Sequence, residues 1–290
     1  MKALLAIEAE KIVRRRLNQI VLAIVVVLLV VVYVLLWLAS DALSGTSASD
    51  QGTVEDIRST LYLEETVPFA ILMLYTFGFV GGVVVIGSNI GSEYTWNTIR
   101  TLTSAEPRRW RVLTAKLIAL WALVVVGLLI GLVAALTTSA AITLAAGRFD
   151  LQFVDAAYIQ DSVLSFLRTL VGTAPYFSLA ALLGVVGRSP TAGIALALGV
   201  AFLEGIVSGL MQLAGGWVAN IPLYTLDANA DSLALVEGGV LSDLYGQSGF
   251  GEAIQRPSVE HAVIVLLFWA FAFISATYWC LSRQDLPYEG

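Results

Sequence analysis

Charged residues are scarce in this chain, and so are cysteine and histidine. Of its 290 residues, 13% are charged, whereas soluble proteins carry roughly 25%, and the mean hydropathy is +0.84. The single cysteine, Cys280, excludes an intrachain disulfide and a paired-cysteine metal or haem site, and the single histidine is His261. The net charge of −6 argues against a nucleic-acid partner, because binding to phosphates needs clustered positive charge. These shortages indicate that lipid is the main solvent of the chain.

Long apolar runs dominate what is present. A hydrocarbon core about 30 Å thick needs about 20 apolar residues in a helix. The stretches that meet this requirement lie at approximately 19–39, 67–90, 112–136, 162–186, 190–212 and 259–281. The sequence therefore predicts an all-α integral membrane protein with six transmembrane helices. Residues 1–18 form a cytoplasmic amphipathic helix in this interpretation, and residues 19–290 form one transmembrane domain.

The distribution of basic residues predicts the orientation of the spans. If the N-terminus is cytoplasmic, 12 of the 16 basic residues fall on the inner side, as the positive-inside rule expects. They are Lys2, Lys11, Arg14, Arg15, Arg16, Arg100, Arg108, Arg109, Arg111, Lys116, Arg188 and Arg283. Acidic residues instead crowd the outer loops 40–66 and 213–258. We expect a multi-pass protein of the plasma membrane with both termini in the cytoplasm.

The segment before the first span predicts an interfacial helix. Apolar residues, among them Ile7 and Ile12, can share one side of it, while Glu8, Lys11 and Arg15 face lipid headgroups. A basic tail that serves only as a topology signal is the alternative interpretation.

The segment between the second and third spans is short, polar and rich in arginine. We expect Gly91 to end the second span and Ser92 to cap a new helix, since serine is a preferred N-cap residue. Apolar residues then recur every three positions from Trp96, and Pro107 ends the helix because proline disfavours helical backbone at the preceding residue. Lys116 lies one turn into the third span, where its side chain can extend back to the interface.

The stretch EYTWNTIRTLTSAEPRRWRVLTAKL resembles the permease subunits of ABC transporters of the ABC-2 type. The residues that match the family pattern are Glu93, Thr98, Leu102, Pro107, Arg109 and Lys116. Asn97 departs from the pattern, because the family usually has glycine there. The layout of the whole chain is also similar to that family: a basic amphipathic N-terminal helix, six spans and a long outer loop before the last span.

The resemblance implies a transport subunit, in keeping with an exporter, rather than an enzyme. Its short cytoplasmic coupling helix, residues 92–106, would dock on a separate ATP-binding cassette ATPase subunit. The residues implied in coupling are Glu93, Trp96, Thr98, Arg100, Pro107 and Arg109. A second permease copy, identical or different, would complete the transporter. ATP–Mg²⁺ would bind to the ATPase, so no cofactor is expected in this chain.

The absence of a phosphate-binding loop agrees with that division of labour. No G-x-x-x-x-G-K-[ST] pattern occurs in the sequence. A basic inner loop would explain the arginines alone, but not the order of the other matching residues. A non-transporting anchor or sensor that docks an ATPase stays open as an alternative. A membrane-embedded enzyme is disfavoured because the predicted spans offer no facing pair of catalytic side chains.

Two charged residues fall inside predicted spans. Glu204 lies deep in the fifth span, where an acid is costly and usually faces the bundle interior or water. It could line a substrate path, or it could be a hydrogen-bonded acid that fixes helix packing. Arg168 could pair with Glu204 or with an outer acid, and its depth favours the outer acid. We expect no metal site, because His261 has no second histidine or cysteine near it.

Overall fold

The structure is a computed structural model that describes residues 1–43, 51–98, 108–234 and 257–284. Within these ranges the chain folds into helices joined by turns, with no β-strand. A short helix, Lys2–Arg14, comes first, and we call it the N-terminal helix. Its apolar side chain Ile12 is buried while Ile7 is 60% exposed, so the two do not share one side as the sequence pattern predicts.

Six further helices are long and apolar enough to cross a membrane, and we number them spans 1 to 6 in chain order. They are Arg16–Ala42, Thr66–Thr95, Arg109–Ala145, Ala156–Val186, Ala192–Ala214 and Val259–Arg283. Each contains nearly all of one predicted span, which confirms an all-helical chain with the architecture of a multi-pass membrane protein. Span 3 has 37 residues, or about 55 Å at 1.5 Å per residue. It is therefore longer than the hydrocarbon core requires.

Consecutive spans run in opposite directions, so the bundle has two ends. The basic end contains the N-terminal helix and residues 88–98, 108–116, 185–191 and 281–284. There the side chain of Gln284 joins span 6 to spans 2 and 4: it accepts a hydrogen bond from the Tyr94 hydroxyl and donates one to the Val185 carbonyl, each at 2.9 Å. At the opposite, acidic end, Ser139 donates to the Leu61 carbonyl at 2.7 Å.

Spans 2 and 4 form the centre of the bundle. Of the most apolar stretch of each span, 56% of span 2 and 72% of span 4 are buried, against 11% of spans 1 and 5. Span 2 and span 5 each contain a short π-helical segment, Leu74–Gly78 and Ala192–Leu196. The outer spans therefore leave long apolar faces uncovered by the chain itself, as membrane helices do in contact with lipid.

Three shorter elements lie at the acidic end. A helix, Gln51–Leu61, connects spans 1 and 2. A 3-10 helix, Val218–Tyr224, and a nine-residue α-helix, Leu226–Ala234, follow span 5. The latter packs against spans 4, 5 and 6, and we call it the inserted helix.

The second span does not end at Gly91, so that prediction is wrong. The helix continues through Ser92 to Thr95. A Cβ atom at Gly91 would lie 2.3 Å from the backbone of Ser189 and of Pro190. Glycine therefore allows the turn between spans 4 and 5 to approach span 2, and tertiary packing, not a helix break, accounts for it.

The chain turns sharply after span 2 instead. Asn97 adopts a φ of 56°, a left-handed conformation that asparagine tolerates better than most residues other than glycine. The sharp turn is therefore compatible with asparagine at position 97. Residues 99–107, and with them most of the predicted helix 92–106, lie outside the described residues.

Candidate functional site

Four charged side chains from three segments meet at the basic end. They are Glu8 and Lys11 of the N-terminal helix, Glu93 of span 2 and Lys116 of span 3, and we call them the charge cluster. Lys11 Nζ lies 2.7 Å from Glu93 Oε1 and 3.6 Å from Glu8 Oε1. Lys116 forms an ion pair with Glu93, and its Nζ lies 3.5 Å from Glu8 Oε2. The cluster therefore joins the N-terminal helix to the ends of spans 2 and 3.

Most of the charge cluster is withdrawn from water. Glu8, Glu93 and Lys116 are 3%, 6% and 3% exposed, while the Lys11 side chain is 43% exposed. Two carboxylates face two ammonium groups, so burial of each charge is compensated by its neighbours. Burial alone would lower the pKa of Lys11, but Glu93 and Glu8 outweigh it, and the pKa lies above its ordinary value of 10.5.

Glu93 and Lys116 lie in the interior of the basic end rather than at its surface. Lys116 was expected to extend back to the membrane interface, yet its ammonium group is enclosed by Glu8 and Glu93. Glu93 was implied as a residue that contacts a partner subunit, yet its carboxylate is used within the chain. Both side chains form ion pairs within the chain and present little charge at its surface.

Arg15 docks the junction between the N-terminal helix and span 1 onto span 2. Its Nη1 donates to the Ser88 carbonyl at 3.2 Å and to Asn89 Oδ1 and Ser92 Oγ at 3.0 Å each. Burial lowers the pKa of Arg15 despite the opposing effect of Glu93. Glu8, Lys11 and Arg15 therefore face protein, which corrects the prediction that they face headgroups. Their spacing of three and four residues places them on one side of a helix.

Trp96 and Thr98 lie where span 2 gives way to the turn. The Trp96 side chain is 61% exposed, and the Arg15 guanidinium lies 5.0 Å from the centre of its ring. The Thr98 hydroxyl donates to the Glu93 carbonyl at 3.4 Å. Of the coupling residues taken from the resemblance, Trp96 is thus the one with a large exposed surface in the part of the chain that the structure describes.

Arg109 ties the start of span 3 to the end of span 6. Its Nη1 donates to the Gln284 carbonyl at 2.7 Å and to the Leu281 carbonyl at 3.5 Å, which satisfies acceptors that a helix C-terminus leaves without partners. One turn further on, the hydroxyls of Thr114 and Tyr278 lie 2.7 Å apart. The remaining two predicted coupling residues, Arg100 and Pro107, lie outside the described residues.

The sequence analysis assigned three contributors to this site, Glu8, Lys11 and Arg15, to lipid headgroups instead of to protein partners. The available signal was their helical spacing, since a stripe of charges opposite exposed apolar residues is compatible with a protein-facing side. Their partners come from distant segments, so the pattern alone names no contact.

The two charged residues predicted within spans do not pair with each other. Glu204 contacts the Leu226 backbone and the Tyr176 hydroxyl. Arg168 is half-buried, and within the described ranges it forms no ion pair with Glu204 or with an outer acid. The expected pairing of Arg168 is therefore not found in this part of the chain. His261 Nε2 lies 2.9 Å from the Leu223 carbonyl oxygen, and no metal-type group of acidic, cysteine and histidine side chains occurs among the described residues.

Comparison with known proteins adds no relative: no family model, no curated protein and no solved structure matches this chain.

Proposed function

We propose that this chain is the membrane-spanning permease subunit of an ATP-driven ABC-2 type exporter of the plasma membrane. Both termini and the basic end lie in the cytoplasm, a separate ATPase subunit binds there, and a second permease chain completes the transporter. The observation that carries the proposal is the way the basic end is tied together. Segment 92–116 has two arms, the end of span 2 and the start of span 3, and each is fixed to the transmembrane bundle. The exposed side chain of Trp96 lies at the turn that follows span 2.

The mechanical basis of the proposal is the set of contacts on either arm of that segment. On the span 2 arm, Glu93 is held by Lys11 and Lys116. On the span 3 arm, Arg109 is held by the last carbonyls of span 6. A displacement applied between these two residues reaches spans 2, 3 and 6 and the N-terminal helix together, because rigid packed elements move as units.

The contact surface for the ATPase centres on Trp96 in this proposal. An exposed tryptophan beside an arginine is the kind of residue that contributes most to protein interfaces. Arg15, which stacks on the ring, is itself fixed by three acceptors of span 2. A load on Trp96 is therefore passed to span 2 through a side chain that has little freedom to yield.

The orientation rests on charge. Among the described residues, the basic end holds the N-terminal lysines and arginines, Arg108 to Lys116, Arg188 and Arg283, whereas the acidic end holds Arg58, Arg148 and, within span 4, Arg168. Lysine and arginine accumulate on the cytoplasmic side of membrane proteins. The same charges would attract anionic lipid of the inner leaflet.

Affinity capture tests the proposal directly. The tagged chain is purified from its native membranes in mild detergent, bound proteins are identified by mass spectrometry, and hydrolysis of Mg²⁺–ATP by the eluate is measured. We expect a phosphate-loop ATPase in the eluate, and Trp96→Ala should reduce its recovery about tenfold, the typical effect of losing one interface anchor. Trp217→Ala is the matched control, because Trp217 is 77% exposed at the acidic end. Native membranes that yield no phosphate-loop protein would overturn the proposal.

An anchor or sensor subunit would dock an ATPase through the same surface. The two functions separate in sealed inverted vesicles that carry the captured complex and are incubated with a cell extract. Transport predicts ATP-dependent accumulation of at least one extract component inside the vesicles, detected by untargeted mass spectrometry. Hydrolysis without accumulation identifies the anchor or sensor.

A further inference from the structure

Glu204, the acid within span 5, has both of its carboxylate oxygens engaged. Oε1 accepts a hydrogen bond from the Leu226 backbone N–H at 2.5 Å. Oε2 accepts from the Tyr176 hydroxyl of span 4 at 3.4 Å. Leu226 is the first residue of the inserted helix, Leu226–Ala234.

This arrangement gives hydrogen-bond partners to two kinds of polar group that are costly to leave without them. The first N–H groups of any helix lack intrahelical partners and carry partial positive charge. A carboxylate within a membrane span is equally costly without donors. Glu204 and Asp227 are both half-buried, and burial raises the pKa of Asp227. Separating the helix from Glu204 would leave the Leu226 N–H without its partner and the carboxylate with one donor fewer.

The inserted helix is seated by further contacts from other spans. The Tyr75 hydroxyl of span 2 donates to Asp231 Oδ1 at 3.3 Å. Just before the helix, Trp269 of span 6 donates to the Tyr224 carbonyl at 3.0 Å. Gly205, next to Glu204, leaves room for Asp227, since a Cβ there would lie 3.3 Å from Asp227 Oδ1.

The seat itself is well packed. Leu226, Ala230 and Leu233 are 3%, 0% and 3% exposed, and a Cβ at Gly172 of span 4 would lie 3.8 Å from the Ala230 carbonyl. The inserted helix therefore covers faces of spans 4, 5 and 6 that would otherwise open toward the acidic end. In the contact between span 5 and the inserted helix, span 5 contributes one ionisable side chain, Glu204.

We propose that Glu204 is a positioning residue: its carboxylate is the latch that holds the inserted helix in its seat between spans 4, 5 and 6. The carboxylate is thus occupied by one backbone donor and one tyrosine hydroxyl. Loss of its acceptor capacity lets the helix leave the seat and exposes the acidic-end faces of those spans. This inference does not depend on the proposed transport function.

Cysteine accessibility tests the latch. The single native cysteine is removed by Cys280→Ser, and Ser232→Cys, at a position 5% exposed in the inserted helix, reports on its seating. The purified chain in lipid nanodiscs, where both ends meet water, is treated with a polar maleimide. We expect Glu204→Gln to speed labelling about tenfold or more, since it loses a charge-assisted acceptor and can face the Leu226 N–H with an amide. Tyr176→Phe removes one donor and should speed labelling about threefold.

Two controls separate local release from general loosening. Glu260→Gln makes the same chemical change at an exposed acid of the acidic end and should leave labelling unchanged. Ser178→Cys, in the core of span 4 at 2% exposure, should stay protected in every variant. If Glu204→Gln also exposes the cysteine at position 178, that variant loosens the bundle in general. Labelling of Ser232→Cys in the Tyr176→Phe variant then tests the latch. Labelling of Ser232→Cys that matches the Glu260→Gln control in both latch variants would overturn the proposal and return Glu204 to the role of a path-lining acid.

Discussion

The two sides of the bundle stabilise buried and half-buried acidic side chains in different ways. At the basic end, Glu8, Lys11, Glu93 and Lys116 neutralise one another across three segments that are far apart in sequence. On the side of the acidic end, Glu204 has no cation within ion-pair distance among the described residues, and it accepts hydrogen bonds from the Leu226 backbone N–H and the Tyr176 hydroxyl. Interlocked ion pairs fix the relative positions of whole helices, whereas a carboxylate at one helix terminus fixes that helix alone. The first arrangement suits a rigid joint, and the second suits a part that moves separately.

The largest effect is expected at the centre of the rigid joint. Lys116→Met removes one of two cations and leaves Glu8 and Glu93 buried with a single partner. The free energy of unfolding should fall by about 3–5 kcal/mol, the usual cost of an uncompensated buried charge. Unfolding in detergent, followed by tryptophan fluorescence, measures it. Lys2→Met, which replaces an exposed lysine of the same end, is the control. An equal loss of stability in the two variants would contradict the claim that the charge cluster fixes these helices. Adding Glu93→Gln to Lys116→Met should recover part of the loss.

A somewhat smaller effect is expected where span 2 meets the turn between spans 4 and 5. Gly91→Ala places a methyl group 2.3 Å from backbone atoms that cannot move aside cheaply. We expect a loss of about 1–3 kcal/mol, typical of overpacking. Gly209→Ala adds the same atom where nothing lies within 4 Å, and it should be neutral or slightly stabilising because alanine favours helix. If the two substitutions have the same effect, close approach is not the reason for glycine at position 91.

The contribution of the Lys11 charge to the free energy of unfolding should depend on pH. Since the folded-state pKa of Lys11 lies above 10.5, the stability that its charge contributes is fully present below 10.5 and is lost as the pH rises through the folded value. Lys11→Met should therefore lose less stability than Lys116→Met, because Lys11 is partly exposed. The difference in the free energy of unfolding between Lys11→Met and the native chain should stay constant up to pH 10.5 and narrow above it. Unfolding measured at a series of pH values tests this, and narrowing that begins near neutral pH would contradict it.

The smallest effect is expected for an ion pair at the acidic surface. Arg148 Nη1 lies 3.2 Å from Glu55 Oε1, with side chains 59% and 56% exposed. Arg148→Ala should cost less than about 1 kcal/mol, because water and salt already screen such pairs. The same unfolding assay at low and high salt measures it. A loss as large as that of Lys116→Met would mean that burial is not what separates the two ends.

The number and place of the spans could be predicted from sequence because they depend on local apolar length alone. Their ends could not: span 3 begins at Arg109 rather than 112 and continues to Ala145 rather than 136, since a helix remains stable beyond the lipid where it packs on protein. The prediction of a helix end at Gly91 is wrong for a related reason. The local preference of glycine suggests a break, but the deciding neighbours, Ser189 and Pro190, come from another part of the chain.

The candidate site was only half visible in the sequence. Glu93, Lys116 and Arg109 stood out by their order in one short stretch, but their contacts did not. Lys116 was expected at the interface because the acid that buries it, Glu8, lies in the N-terminal helix. Likewise, the depth of Glu204 was readable from the length of its span, whereas the helix that it holds returns from a loop whose path no periodicity predicts.

Photocrosslinking from position 96 in native membranes is the most direct test of the central proposal, which is that a separate ATPase subunit binds the basic end. A benzoylphenylalanine in place of Trp96 is irradiated, and the product is identified by mass spectrometry, with the same residue in place of Trp217 as the reference. We predict a crosslink to a phosphate-loop ATPase from position 96 and none from position 217. An ATPase captured from position 217 instead, or from neither position, would contradict the account.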